Sequence, residues 1–285
     1  RKRWRFAESD LRCAYLPPCG GESEFLVLEQ PSLRIRKRGV EYYRPSVHEL
    51  KMDTVQENLA NWATSRMASI PVARLLSRNA VAYKWKAPFR SWMLREAVGW
   101  RLHDLLTQSY TLHQQGHGLG ARILLRSGFE TLAVLIYLNQ LMQQVLDGEL
   151  DFHLFSDKTI ALLAGSRDGS TMHQSLNIMT ILEKCDKRYL GLAKLYAILS
   201  ESAHPNYEGM VMGYSKIDHD EYETHFSNRW MEMYGGRHLG SMDLCMMTFH
   251  HEYHDVWTDL MEKLEGWIEE NDATLEATKN DRLSK

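Results

Sequence analysis

Residues 123–138, "ILLRSGFETLAVLIYL", are apolar on almost every side of a helix, and such a helix sits inside a bundle. Yet the segment carries Arg126 and Glu130, four residues apart and therefore on one face, with Arg122 one turn earlier on the same line. An unpaired buried ion costs several kcal/mol as an order of magnitude, so these charges are either paired or used. Two chemistries follow. Arg126 can bind a phosphate while Glu130 orients a base, or the two can form an ion pair that locks helix packing.

A second segment, "LYAILSESAHPNYEGM" at 195–210, ends a helix with Ser200, Glu201 and His204, followed by Pro205, Asn206 and Tyr207. The residue before a proline leaves helical geometry, so His204 is expected at a helix end, where the dipole favours imidazolium. That position suits a titrating group that meets a substrate, and equally a histidine that caps nearby carbonyls. The pairing expected here brings His204 to Arg126 or Glu130, directly or through one water.

Taken together, the two segments resemble helical families placed near the HEPN superfamily, to which domains of bacterial abortive-infection proteins are related. The residues that carry the resemblance are Arg126 and Glu130 as Arg-x-x-x-Glu, Tyr196, and Ser200, His204 and Pro205 as Ser-x-x-x-His-Pro. It covers about residues 115–215. The resemblance implies a helical bundle, homodimeric or in a larger assembly, and a metal-independent ribonuclease or RNA-binding toxin in antiviral or toxin–antitoxin defence. In that reading Arg126, Glu130 and His204 are catalytic: His204 moves the proton and Arg126 offsets phosphate charge. Arg122, Ser200, Asn206 and Tyr207 bind the substrate, RNA. The usual motif of active members, Arg followed after four to six residues by His, has one formal match, Arg167 to His173. Gly169, Ser170 and Thr171 make that stretch a loop rather than a helix end. The alternative reading is a non-catalytic protein-interaction module with a buried Arg/Glu/His network.

Other candidates are weaker. His250 and His254 stand four apart on a helix, as zinc ligands can, but His251 and Glu252 do not complete a metalloprotease motif because Asp255 follows. No metal and no cofactor is expected, and no glycine-rich phosphate loop is present. In "RIRKRG" at 34–39, Arg34, Arg36 and Arg38 share one face of a strand and suit either RNA phosphates or a charge-protected sheet edge. Cys13, Cys19, Cys185 and Cys245 lack metal-type spacing and read as free thiols of a reducing, cytoplasmic compartment.

The elements that must position these residues are mainly α-helical. Hydrophobic content of 44% and charged content of 25% fit a folded chain, and a net charge of -3 gives no overall pull toward nucleic acid. Charge is uneven, however: residues 1–44 hold ten Lys/Arg against six Asp/Glu, and residues 216–285 hold seven against sixteen. Residues 1–46 alternate as an extended or β arm, 47–272 form a helical bundle with the HEPN-like core at about 88–215, and 273–285 form a polar tail. Pro71 and Pro88 suit first turns, Gly148 suits a helix stop, and Asp186 suits a helix cap. An irregular acidic stretch is expected after "GMVMGYSKIDHDEYETHF" at 209–226, followed by a C-terminal helix from about Met242 to Glu270. "LAVLIYL" is stopped by Asn139 and Gln140, so no membrane span is expected.

Overall fold

The computed structural model describes residues 52–283, with side chains from 54 to 279, and the arm over 1–46 with its Arg34, Arg36 and Arg38 lies outside these residues. The described chain is mainly α, with ten α-helices and two small two-stranded sheets. In order the helices are α1 (Met52–Ser65), α2 (Val72–Arg78), α3 (Ala80–Lys84), α4 (Lys86–Gln114), α5 (Gly118–Leu146) and α6 (Phe152–Ala164). Strands β1 (Gly165–Ser166) and β2 (His173–Gln174) enclose a loop, and then come α7 (Ile178–Asp186) and α8 (Leu192–Ala203). A π-helical turn, Tyr207–Met212, leads to the hairpin β3 (Ser215–Asp218) and β4 (Glu223–Phe226). Helix α9 (Trp230–His250) passes through a second π-helical turn, His251–Val256, into α10 (Trp257–Leu283).

Because α5 is apolar all round, it can be satisfied only at the centre. Leu125, Leu132, Leu135, Ile136 and Leu138 are fully buried. Helix α4 lies along α5, and α6, α7, α8, α9 and α10 complete the surround. Helix α1 closes the side of α4: Trp62 stacks on Phe249 at 4.4 Å, and His103 bonds the Leu59 carbonyl at 3.0 Å. Gly148, at φ +73°, ends the turn after α5 in a conformation that side chains other than glycine's resist.

Several boundaries differ from the sequence expectation, each for a local reason. One helix was expected after Pro71, but Asn79 splits it into α2 and α3 by capping Ala82 N at 2.8 Å. Asp186 does not start the helix that ends at Ala203. It closes α7, and its carboxylate reaches over Gly191 to accept from Gly191 N at 3.0 Å and Ala193 N at 2.9 Å. The stretch after Phe226 is not irregular up to Met242, since α9 already begins at Trp230, and the segment before it forms the π turn and the antiparallel β3–β4 hairpin. Helicity does not end near residue 272: α10 runs on to Leu283, with Leu275 buried and its carbonyl 3.1 Å from His153 Nε2.

The central place of α5 predicts a sharp contrast. Leu132→Ala should lower unfolding free energy in urea by about 2–5 kcal/mol, the usual range for a leucine cavity. Ile123→Ala, on the same helix but 37% exposed, should cost well under half of that.

Candidate functional site

Helices α5 and α8 face one another, and their polar residues meet in two layers one turn apart. In the first, Arg126 donates from Nε to Ser200 Oγ at 2.9 Å and from Nη2 to the Tyr196 hydroxyl. The same guanidinium pairs with Glu130 at 3.2 Å, and Tyr196 donates to Glu130 Oε1 at 2.8 Å. The Arg126 guanidinium also lies 4.8 Å from the centre of the Tyr196 ring. In the second layer Arg122 donates to Ser202 Oγ at 2.8 Å and to the Ile198 carbonyl at 3.3 Å, lies 3.8 Å over the Tyr234 ring, and approaches Glu208 at 4.0 Å. Ser202 donates to Glu208 at 2.8 Å.

The residues named from sequence therefore divide. Arg126, Glu130 and Ser200 come together with Tyr196, and Arg122 joins a separate, buried cluster. His204 is not among the partners of Arg126 or Glu130. It is the exposed C-cap of α8, extended at ψ 148° as Pro205 dictates, and its ring makes no hydrogen bond or ion pair with any described residue. The expected direct contact is absent because Tyr196 and Ser200, one turn apart on α8, already fill the space beside Arg126. Asn206 caps the π turn by accepting from Gly209 N at 2.9 Å, and Tyr207 points to solvent at 66% exposure. A Cβ at Gly209 would overlap the His204 carbonyl oxygen, so the turn that carries both residues away from the cleft needs glycine there.

Arg126, Glu130 and Tyr196 line an open cleft of about 1160 Å³. Its walls come from α4, α5, α6, α8 and the segment after β2. Two further arginines reach it: Arg101, bonded to Thr131 Oγ1 at 3.2 Å, and Arg167 from the exposed loop between β1 and β2. Leu94, Val98, Val134, Leu162 and Leu163 give it an apolar side. Three guanidinium groups thus face a single carboxylate, Glu130. The Nη1 group of Arg126 has no partner among the described residues, which leaves two N–H donors for a ligand.

Burial, and then donation to Glu130, raises the Tyr196 hydroxyl above its ordinary range, so it remains a donor at neutral pH. Of the formal Arg-to-His match, Arg167 sits on the exposed β1–β2 loop and His173 is the exposed first residue of β2, and only Arg167 lines the cleft. His250 and His254 stack at 5.1 Å, and no group of three or more His, Cys, Asp or Glu converges among the described residues. Cys185 and Cys245 are buried free thiols, whereas Cys13 and Cys19 lie outside the described residues. No helix of the described residues is long and apolar enough to cross a membrane.

Sequence reading missed Arg101 and gave Arg167 a different role. The signal for Arg101 was present: Leu94, Ala97, Val98 and Arg101 recur at helical spacing, and all four line the cleft. For Arg167 no local pattern exists, because a loop places it. No known protein family, curated protein or solved structure matches the chain.

Beside the Arg122 layer lies a pair of buried histidines, His113 and His238, stacked at 4.9 Å. Ser109 donates to the Ala121 carbonyl at 2.8 Å, so His238 Nε2, 3.0 Å from the same hydroxyl, is assigned the proton. Burial, His113 and Arg122 pull His238 down to about 3, and burial lowers His113 as well. The unfolded chain takes up these protons near pH 6.5, where the folded chain does not. Stability should therefore be full above about pH 6.5 and fall as pH drops toward 3, by up to ~1.4 kcal/mol per pH unit for each proton. Urea unfolding from pH 7.5 to pH 5 checks this, and His238→Gln should flatten the profile.

Proposed function

We propose that this protein is a helical binding module that takes a phosphate-bearing ligand, with RNA the favoured class, in the Arg126 cleft, and that it holds this ligand without cleaving it. The observation that carries the reading is the excess of guanidinium groups: Arg101, Arg126 and Arg167 against Glu130 in one open cleft. Arginine presents a planar fork that matches phosphate oxygens, and Arg126 is already held in place by Ser200, Tyr196 and Glu130. A ligand meeting it would lose little to side-chain ordering. The apolar wall of Leu162, Leu163 and Val134 suits the uncharged body of such a ligand. A ribonuclease of the HEPN type would need a proton-transfer group within hydrogen-bond reach of the scissile phosphate. His204, the candidate for that task, is outside the cleft lining.

A second reading has its own support. The grouping of an arginine, a glutamate and a tyrosine recurs four more times: Arg78, Glu265 and Tyr83; Arg95, Glu96 and Tyr253; Arg188, Glu252 and Tyr189; Arg122, Glu208 and Tyr234. None of these lines the main cleft. The Arg126 cluster would then be a fifth packing device, and the protein an interaction module with no ligand in the cleft.

Fluorescence anisotropy with a short labelled single-stranded RNA separates the readings. Wild type should bind, more weakly as salt rises, and Arg126→Ala and Arg101→Ala should each weaken binding about tenfold or more. His204→Ala should bind as wild type, and the RNA should remain intact. Unchanged binding by Arg126→Ala, together with a fall of several degrees in its Tm, would favour the packing reading. Cleavage that His204→Ala abolishes would restore the nuclease reading instead.

A further inference from the structure

The hairpin pairs Ser215 with Phe226, Lys216 with His225, Ile217 with Thr224 and Asp218 with Glu223. One step beyond the first of these pairs, Ser227 N donates to the Tyr214 carbonyl at 3.0 Å. Hydrogen-bonded and non-bonded pairs alternate along an antiparallel ribbon. Lys216–His225 and Asp218–Glu223 are therefore the bonded pairs, and the N–H and C=O groups of Thr224 and Phe226 point away from β3. Neither residue has a backbone partner on that outer side among the described residues. The outer side of β3 differs, because Arg229 caps the Ser215 carbonyl at 2.8 Å. β4 is thus the open edge of the ribbon, and all four of its residues are exposed.

The side chains of β4 say what this edge can receive. Glu223 and His225 share one face, 3.9 Å apart and both largely exposed. Thr224 and Phe226 share the other face. Asp218, beside Glu223, is already engaged, because its carboxylate accepts from Asp220 N at 2.9 Å and Glu221 N at 3.0 Å. The charges that the edge itself presents are therefore one carboxylate and one imidazole, two residues apart. A strand that carries the same two groups in the opposite direction answers both at once.

That strand is β4 of a second copy. Antiparallel addition about a two-fold axis through Thr224 sets Thr224 against Thr224, and their outward groups exchange two hydrogen bonds. The flanking pairs are Glu223 with His225 and His225 with Glu223, at non-bonded positions where side chains come closest. With the hairpin register, each row across the four strands reads Asp218, Glu223, His225, Lys216, two carboxylates followed by two bases. The same register brings Phe226, 81% exposed, alongside Tyr222 of the second copy, 94% exposed. An axis through Glu223 would oppose two carboxylates. An axis through His225 would oppose two imidazoles and leave both glutamates without a base across the axis. A two-stranded ribbon is marginal in water, and the four-stranded sheet closes the β4 edge of both copies. We propose that the chain forms a symmetric dimer through β4, antiparallel to β4 of a second copy and centred on Thr224. No hairpin residue lines the Arg126 cleft, so each copy keeps its own cleft.

Sedimentation velocity of the full chain, from about 1 to about 200 µM, tests the proposal and should show a reversible monomer–dimer equilibrium. Thr224→Pro removes the central N–H. That group points outward, so the hairpin itself tolerates the proline, while the dissociation constant should rise about tenfold or more. Glu223→Arg and His225→Glu should each weaken self-association by a similar factor, because each sets like charges across the axis. An equimolar mixture of these two variants should dimerise again, since every introduced charge then faces its opposite. Circular dichroism checks that each variant keeps its helices. A chain that stays monomeric throughout this range overturns the proposal, as does a dimer that Thr224→Pro leaves unchanged. A dimer that responds to the proline, but whose two charge variants stay apart when mixed, overturns the register about Thr224.

Discussion

A guanidinium that enters an apolar bundle has to bring its compensation with it. A bare buried charge would destabilise the fold by more than several hydrophobic contacts return. In this protein the compensation has one recurrent form: a carboxylate neutralises the arginine, and a tyrosine hydroxyl donates to that carboxylate while its ring packs among apolar neighbours. Tyr83 donates to Glu265 at 2.6 Å, Tyr253 to Glu96 at 2.6 Å and Tyr196 to Glu130 at 2.8 Å. Arg95 lies 3.6 Å over the Tyr253 ring and 4.4 Å from that of Trp257, so the cation is met by ring faces as well. The bundle can accept so many charges because each is delivered as part of a set that leaves few donors or acceptors unmet.

That rule determines what the Arg126 cluster can do. In the other sets the carboxylate has spent its hydrogen bonds on its neighbours: Glu252, fully buried, takes Tyr189, Arg188 at 3.0 Å and Asn139 at 2.7 Å. The Arg126 set differs in opening on a cleft that Arg101 and Arg167 also reach, a lining that none of the other sets shares. It is rigid on its protein side and unsaturated on its open side. That combination fits the proposed recognition of an anion. Tyr196 is biased toward its protonated form, and His204, the base expected from sequence, faces solvent.

The helical class and the central place of α5 were legible in sequence, since an all-apolar helix has only one place to go. Arg126 and Glu130 were legible as a pair from their spacing, and Pro205 correctly put His204 at a helix end. The partner of the pair was not legible. Tyr196 and His204 are both on α8 or its cap, and which of them faces α5 depends on the rotation of one helix against another, set by Leu192, Leu199 and Tyr196 packing together in the core. The hairpin escaped notice because its strands are four residues long and mostly exposed, so they lack the buried alternation that marks a strand. The extension of α10 was missed because its last turns are polar. Leu275, with His153 of α6 bonded to its carbonyl, holds them against the fold.

The central claim is that Arg126 has donors to spare and offers them to an anion. Arginine side-chain N–H resonances report this directly in a titration with inorganic phosphate followed by RNA. The account predicts that the Arg126 Nε–H signal, sharp and shifted in the free protein by its bond to Ser200, moves in a saturable way together with Arg101, while Arg95 and Arg122 stay fixed. An Arg126 signal that is unmoved at saturating RNA, while surface arginines outside the cleft respond, would contradict it.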